Sequence, residues 1–247
     1  MNLESEILTT LKPFANPESA EYDQNYLNTE FPTTGASMPA IRKVAKALYK
    51  ELGQNRTRNQ MRIMIARLWK QTSSHDVMTI CLLYFSSRKK ENALADWRVL
   101  KMWASKIDNW AHSDMLSDIY ADMLDREENR DALYEEFQLW NSHKHPWKRR
   151  LSLTSLCYYS SMRKNPLPAK DILPLVKARL GDEHFYVQRA VGWTLRECGN
   201  LHPRPTEIFI KKHVGALSSI AFSTATEKWS KQRKTPLLQQ RKEIRKQ

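Results

Sequence analysis

Four side chains in this 247-residue sequence have types and positions that could do chemistry together. Trp110 and Asp114 stand four residues apart, a spacing that puts both on one face of a helix. Arg150 and Trp193 come later in the chain, and Trp193 follows Gly192 directly. An indole face attracts a cation by roughly 0.5–2 kcal/mol. A carboxylate stabilises positive charge that develops next to it. Taken one at a time, each residue also has a plainer reading. A tryptophan on an apolar helix is core, an isolated aspartate is a solvated acid, and Lys148-Arg149-Arg150 is an exposed charge run whose members point about 100° apart on a helix. Gly192 adds a clue: a mid-helix glycine costs about 1 kcal/mol against alanine, and a close approach of another group beside Trp193 would explain it.

The elements that must position these residues read as helices. Residues 38–52 place Ile41, Ala45, Leu48 and Leu52 on one face, and 61–70 form another run containing Arg62, Arg67 and Trp69. Further helices are predicted over about 75–86, 93–106, 110–124, 130–140, 146–160, 170–180, 185–198 and 205–215. Ser74, Asp108 or Asn109, and Asp182 or Glu183 are the expected helix starts. No alternating strand pattern is found. Trp110, Trp147 and Tyr186 each open an apolar helix, at spacings of 37 and 39 residues. A period of about 35–45 residues with two helices per unit is the signature of a HEAT-like solenoid. The expected fold is therefore an all-α, HEAT-like superhelix with a concave basic groove, in which equivalent positions of successive repeats, Trp110 and Asp114, then Arg150, then Trp193, line one surface.

Composition narrows the function classes. Only 6 glycines are present, about a third of the usual share, and neither glycine-rich phosphate-binding fingerprint occurs. The net charge is +13. Residues 1–35 carry six acids and one base, which leaves +18 on residues 36–247 and favours a polyanionic partner. There is no run of 18 apolar residues and the first ten residues do not resemble a signal peptide, so no membrane span is expected and a cytoplasmic location is. Cys81, Cys157 and Cys198 are far apart and read as buried free thiols. The seven histidines include one close pair, His143 and His145, with no acidic or cysteine partner at ligand spacing, so no metal and no cofactor are expected. Residues 1–227 read as one domain. Residues 228–247, with eight bases and one acid, read as a solvated, partly disordered basic tail.

Four segments resemble a known family. Phe185-Tyr-Val-Gln-Arg-Ala-Val-Gly-Trp-Thr-Leu-Arg-Glu197, Asn109-Trp-Ala-His-Ser-Asp114, Trp147-Lys-Arg-Arg150 and Gly35-Ala-Ser-Met-Pro-Ala-Ile-Arg42 are similar, in that order, to motifs of the AlkD-like DNA alkylation repair glycosylases. The resemblance covers about residues 5–225. It implies a HEAT-like repeat fold and removal of cationic N3- and N7-alkylpurines from duplex DNA, without moving the base into a deep pocket. Carried over by position, Asp114 is the catalytic carboxylate and Trp110 and Trp193 are groove tryptophans. Arg150 contacts DNA, Arg42 and Arg196 match further basic contacts, and Arg189 and Lys148 are candidates. Alkylation already makes the purine a good leaving group, so the protein has to stabilise an oxocarbenium-like sugar rather than supply a strong acid. The sequence departs from the family pattern at Met38, Ala40, Ile41 and Tyr158.

The expected activity is that of a monofunctional, monomeric glycosylase acting on double-stranded DNA with alkylated bases. The competing readings are a non-catalytic helical-repeat protein that binds damaged or branched DNA, and a solenoid that binds acidic proteins.

Overall fold

The structure, a computed structural model, describes residues 2–244 and residue 246. Fourteen α-helices and no strands occur among the described residues. In chain order they are α1 (Leu3–Leu11), α2 (Pro17–Leu27), α3 (Met38–Gly53), α4 (Arg58–Gln71), α5 (His75–Ser86), α6 (Leu94–Trp103), α7 (Trp110–Leu124), α8 (Glu127–Asn141), α9 (Pro146–Thr154), α10 (Ala169–Ala178), α11 (Phe185–Leu201), α12 (Pro203–Lys212), α13 (Ser219–Ala225) and α14 (Lys231–Ile244). The chain divides into two compact units, residues 1–119 and 120–247.

In the first unit, α3 is amphipathic as read, burying Ile41, Val44, Ala45, Leu48 and Tyr49. Helix α5 is apolar on nearly every side, and residues His75 to Leu82 are all buried, which makes it a central helix. It packs against α1, α3 and α4. Capping follows the sequence. Ser74 accepts from the Val77 N–H, and Thr57 with Gln60 forms a reciprocal capping box on α4. A cluster beneath α7 stacks Trp69 on Trp103 at 4.2 Å, with Phe85 edge-on to Trp103.

The second unit is two layers of helices. α9, α11 and α13 lie side by side in one, and α8, α10 and α12 back them in the other. This is the stacking of helix pairs that the repeat spacing predicts. Gly192 has the reason suspected for it. A Cβ there would fall 2.6 Å from the Ala221 carbonyl oxygen and 2.9 Å from Ala221 Cα, so its absence lets α11 and α13 meet backbone to backbone. Trp193 is thereby fixed one residue away from the tightest helix contact of this unit.

The structure corrects several expected boundaries. The helix predicted over 146–160 stops at Thr154, where Ser155 is the cap; further on, Tyr159 takes a left-handed conformation and Ser160–Met162 forms a 3-10 turn. The run 93–106 is α6 followed by a 3-10 turn. At α11 the cap position is His184, and Asp182 reaches its N–H from two residues back at 3.1 Å. Helices α1, α2, α13 and α14 were not predicted. The last of these corrects the reading of the tail as partly disordered over Lys231–Ile244, while residues 245 and 247 lie outside the described residues. Lys231–Ile244 is helical and is anchored by buried Leu237 and Arg241. Arg241 donates to the Val214 carbonyl and lies 4.6 Å over the Phe222 ring.

Candidate functional site

Helix α7 presents one face outward and buries the other. Trp110 and Asp114 are partly exposed, as is Asp118 one turn further on, where it pairs with Lys89. His112, Ser113, Leu116 and Ser117 point into the core. The anchor of the buried face is His112. Its Nδ1 accepts from Asn109 Nδ2 at 3.1 Å, and its Nε2–H donates to Thr79 Oγ1 at 2.9 Å. Asn109 also accepts from the His112 N–H at 2.9 Å, so the expected start signal holds at Asn109. The Thr79 hydroxyl in turn donates to the His75 carbonyl, and the His75 ring stacks on His112 at 4.0 Å. Every polar atom of a neutral His112 is satisfied. A protonated Nδ1 would instead face the Asn109 amide donor.

Burial, and then the neighbouring His75, hold the His112 imidazole well below its ordinary range. Unfolded His112 takes up a proton as pH falls below about 6.5, and the folded chain does not. Stability is therefore complete above that pH and is lost on acidification, by up to about 1.4 kcal/mol per pH unit from this group. His145, His184 and His213 are shifted in the same direction. Urea unfolding at pH 7.5 and 5.5 should show the loss, and His112→Gln should shrink the difference between the two pH values. An unchanged difference would remove His112 as its source.

Trp110 has a neighbour that sequence reasoning missed. Tyr26 of α2 meets it edge-on, with ring centroids 5.7 Å apart at 89°, and Tyr22 stacks on Tyr26 at 5.8 Å. Both tyrosines are well exposed. The available signal is their i, i+4 spacing in an otherwise polar, acidic helix, where no core requires them. Three aromatic rings thus run across the surface beside the turn that carries Asp114.

In the second unit, Trp193 is partly exposed. Tyr158 lies 4.9 Å from its ring and Tyr159 lies 6.4 Å away, edge-on. Arg196 sits 5.8 Å over the indole while pairing with Glu197 at 3.2 Å and Glu227 at 2.7 Å, so its charge is largely spent within the protein. The bases of the 148–150 run diverge, as helix geometry requires. Lys148 lies over Trp140 at 5.6 Å, Arg149 grips Asp182 at 2.6 and 3.1 Å, and Arg150 turns inward. Arg150 is only 7% exposed and donates to the Tyr186 carbonyl at 2.9 Å. It ties α9 to the first turn of α11. Arg189 is exposed and lies 6.0 Å from the Phe185 ring, not against an acid. Arg42, in the first unit, is exposed on α3.

A model of the family described as DNA alkylation repair enzyme matches residues 7–229. The chain belongs to this family. Solved structures share the fold of this DNA alkylation repair family member. A protein of Enterococcus faecalis described as a predicted DNA alkylation repair enzyme superposes with a TM-score of 0.73 at 19% identity, over 88% of this chain and 97% of that one. AlkD2 of Streptococcus mutans gives a TM-score of 0.52 at 17% identity, over 87% and 96%. The smu.31 protein of Streptococcus mutans UA159 gives 0.53 at 17%, over 85% and 96%. No curated protein matches the chain.

For a DNA alkylation repair family member, the tryptophans divide clearly. Trp69, Trp97, Trp103, Trp140 and Trp147 are buried packing residues. Trp110 and Trp193 stay partly open, as does Trp229, which is covered on one face by Arg233 at 3.8 Å. Among the described residues no group of three or more His, Cys, Asp or Glu is placed to hold a metal ion, and no helix is long and apolar enough to cross a membrane.

Proposed function

We propose that the chain is a monofunctional DNA glycosylase that hydrolyses the N-glycosidic bond of cationic alkylated purines, of the 3-methyladenine and 7-methylguanine type, in duplex DNA. The observation that carries this reading is the pairing on α7. Asp114 and Trp110 share its partly exposed face one turn apart, and the family is one of DNA alkylation repair enzymes.

The chemistry asks little of the protein beyond charge. The bond from the sugar C1′ to the purine nitrogen breaks with its electron pair going to the base, which leaves neutral. The sugar becomes oxocarbenium-like, water adds at C1′, and the water's proton is released. Asp114 stabilises the positive sugar and orients that water. Trp110, with Tyr26 against it, offers aromatic faces to the cationic nucleotide. Both groups lie at the surface of α7, which suits a lesion presented without passage into a deep pocket. Trp193 in the second unit supplies a further aromatic contact. Arg42, Arg189 and Lys148 supply backbone contacts that position DNA without reading its sequence. Arg150 is proposed as a further DNA contact, and its bond to the Tyr186 carbonyl also holds the start of α11.

The test is incubation of the protein with methylated duplex DNA and chromatography of what is released. Free 3-methyladenine or 7-methylguanine, with an uncut strand bearing an abasic site, is the expected result. Tight binding of the same DNA with no base released would favour the non-catalytic reading.

A further inference from the structure

The segment after α9 holds a large side chain in an unusual way. Tyr159 has φ 45° and ψ 74°, a left-handed conformation that bulky L residues adopt only when the surroundings impose it. The surroundings here are specific. Glu197, 5% exposed, accepts from both the N–H and the hydroxyl of Ser160, at 2.9 and 2.6 Å. Asn200 donates to the same hydroxyl at 3.0 Å. A buried carboxylate is costly to place, and this one pins the residue immediately after Tyr159.

The ring that results is not core. Tyr159 is 52% exposed. It stands edge-on to Tyr158 at 4.7 Å and to Trp193 at 6.4 Å, while Tyr158 beneath is buried. The unit therefore carries two accessible rings on a buried third, with the Arg196 guanidinium at the margin. Disfavoured backbone, a buried anchor and an exposed aromatic ring together mark a binding feature rather than a packing one.

We infer that Tyr159 and Trp193 form a stacking site for an unpaired nucleobase of bound DNA. The identity of the ligand as DNA rests on the proposed function, and the site itself rests on the geometry above. Aromatic rings stack on any base whose π-face is free. In a paired duplex both faces are occupied by neighbouring bases, so the site selects DNA in which one base has lost its partner.

The experiment is a fluorescence titration with two duplexes of one sequence, one carrying 2-aminopurine opposite an abasic site and the other carrying it fully paired. The parent should bind the first more tightly and quench its fluorescence. Tyr159→Gly removes the ring and suits the left-handed backbone, so it should melt no lower than the parent while losing about 5- to 100-fold in affinity for the unpaired base. Its affinity for the paired duplex should stay unchanged, and Tyr159→Phe should behave as the parent does. Equal preference in parent and Tyr159→Gly, or no preference in the parent, would overturn the site. Base release assayed on the same preparations separates the two readings. Release without ring-dependent binding removes only this inference, and ring-dependent binding without release removes only the glycosylase reading.

Discussion

Asp114→Asn should slow release of the alkylated base by about 10²–10³-fold, the cost of removing one well-placed electrostatic group from a reaction centre. The substitution keeps the shape of the side chain and removes its charge. Asp114 lies on the partly exposed face of α7, while His112, Ser113 and Leu116 are buried on the other. DNA affinity gives the more telling readout. A carboxylate close to a polyanion weakens binding, so its neutralisation should leave affinity for undamaged duplex unchanged or slightly tighter. Slower chemistry with equal or tighter binding is a combination that loss of fold cannot produce. Single-turnover release measured beside a binding titration checks both halves. Equal release rates for mutant and parent would take Asp114 out of the mechanism.

What could be read in the sequence was whatever local periodicity encodes. Helices α5 and α7 fall where their apolar spacing puts them, and the 37- and 39-residue intervals anticipate the stacking of α9 and α11. The glycine beside Trp193 is itself a sign of the close contact that α11 makes with Ala221. What could not be read depends on partners distant in the chain. Helix α2 has little apolar content, and it is held through its ends and by the meeting of Tyr26 with Trp110, 84 positions later. Arg150 looks like part of a surface charge run until the Tyr186 carbonyl is placed beside it. The turn that follows α9 is held by Glu197, 37 residues beyond Ser160. The basic tail looks unstructured by composition, yet α14 is fixed by two residues, Leu237 and Arg241, that find burial. Charge patterns in this chain show which residues are available to an anion. They do not show which of those residues the fold has already used, as the double pairing of Arg196 makes plain.

Gly35→Ala should destabilise the first unit by about 2–5 kcal/mol, which adds the left-handed cost of a non-glycine residue to that of overpacking. Gly35 has φ +70°, and a Cβ there would lie 2.0 Å from the Asn16 carbonyl oxygen and 2.6 Å from the Ala20 nitrogen. Both are backbone atoms of the start of α2, where that oxygen accepts the helix's first hydrogen bond from the Ala20 N–H. The loop cannot slide away to make room. Asp76 accepts from the N–H and hydroxyl of Thr34 at 2.7 and 2.6 Å, and Asp108 accepts from the Thr29 hydroxyl and the Glu30 N–H at 2.7 Å each. With the loop fixed, α2 has to move, and α2 carries Tyr26 onto Trp110. The variant should therefore melt roughly 5–15 °C lower and lose rate even at temperatures where it stays folded. Gly53→Ala is the control, because that glycine ends α3 with nothing within 4 Å of the added methyl, and alanine there should leave stability equal or slightly raised. Equal melting of the Gly35 and Gly53 variants would mean that the loop yields where its hydrogen bonds say it is held, and that the placement of α2 against Trp110 does not depend on it.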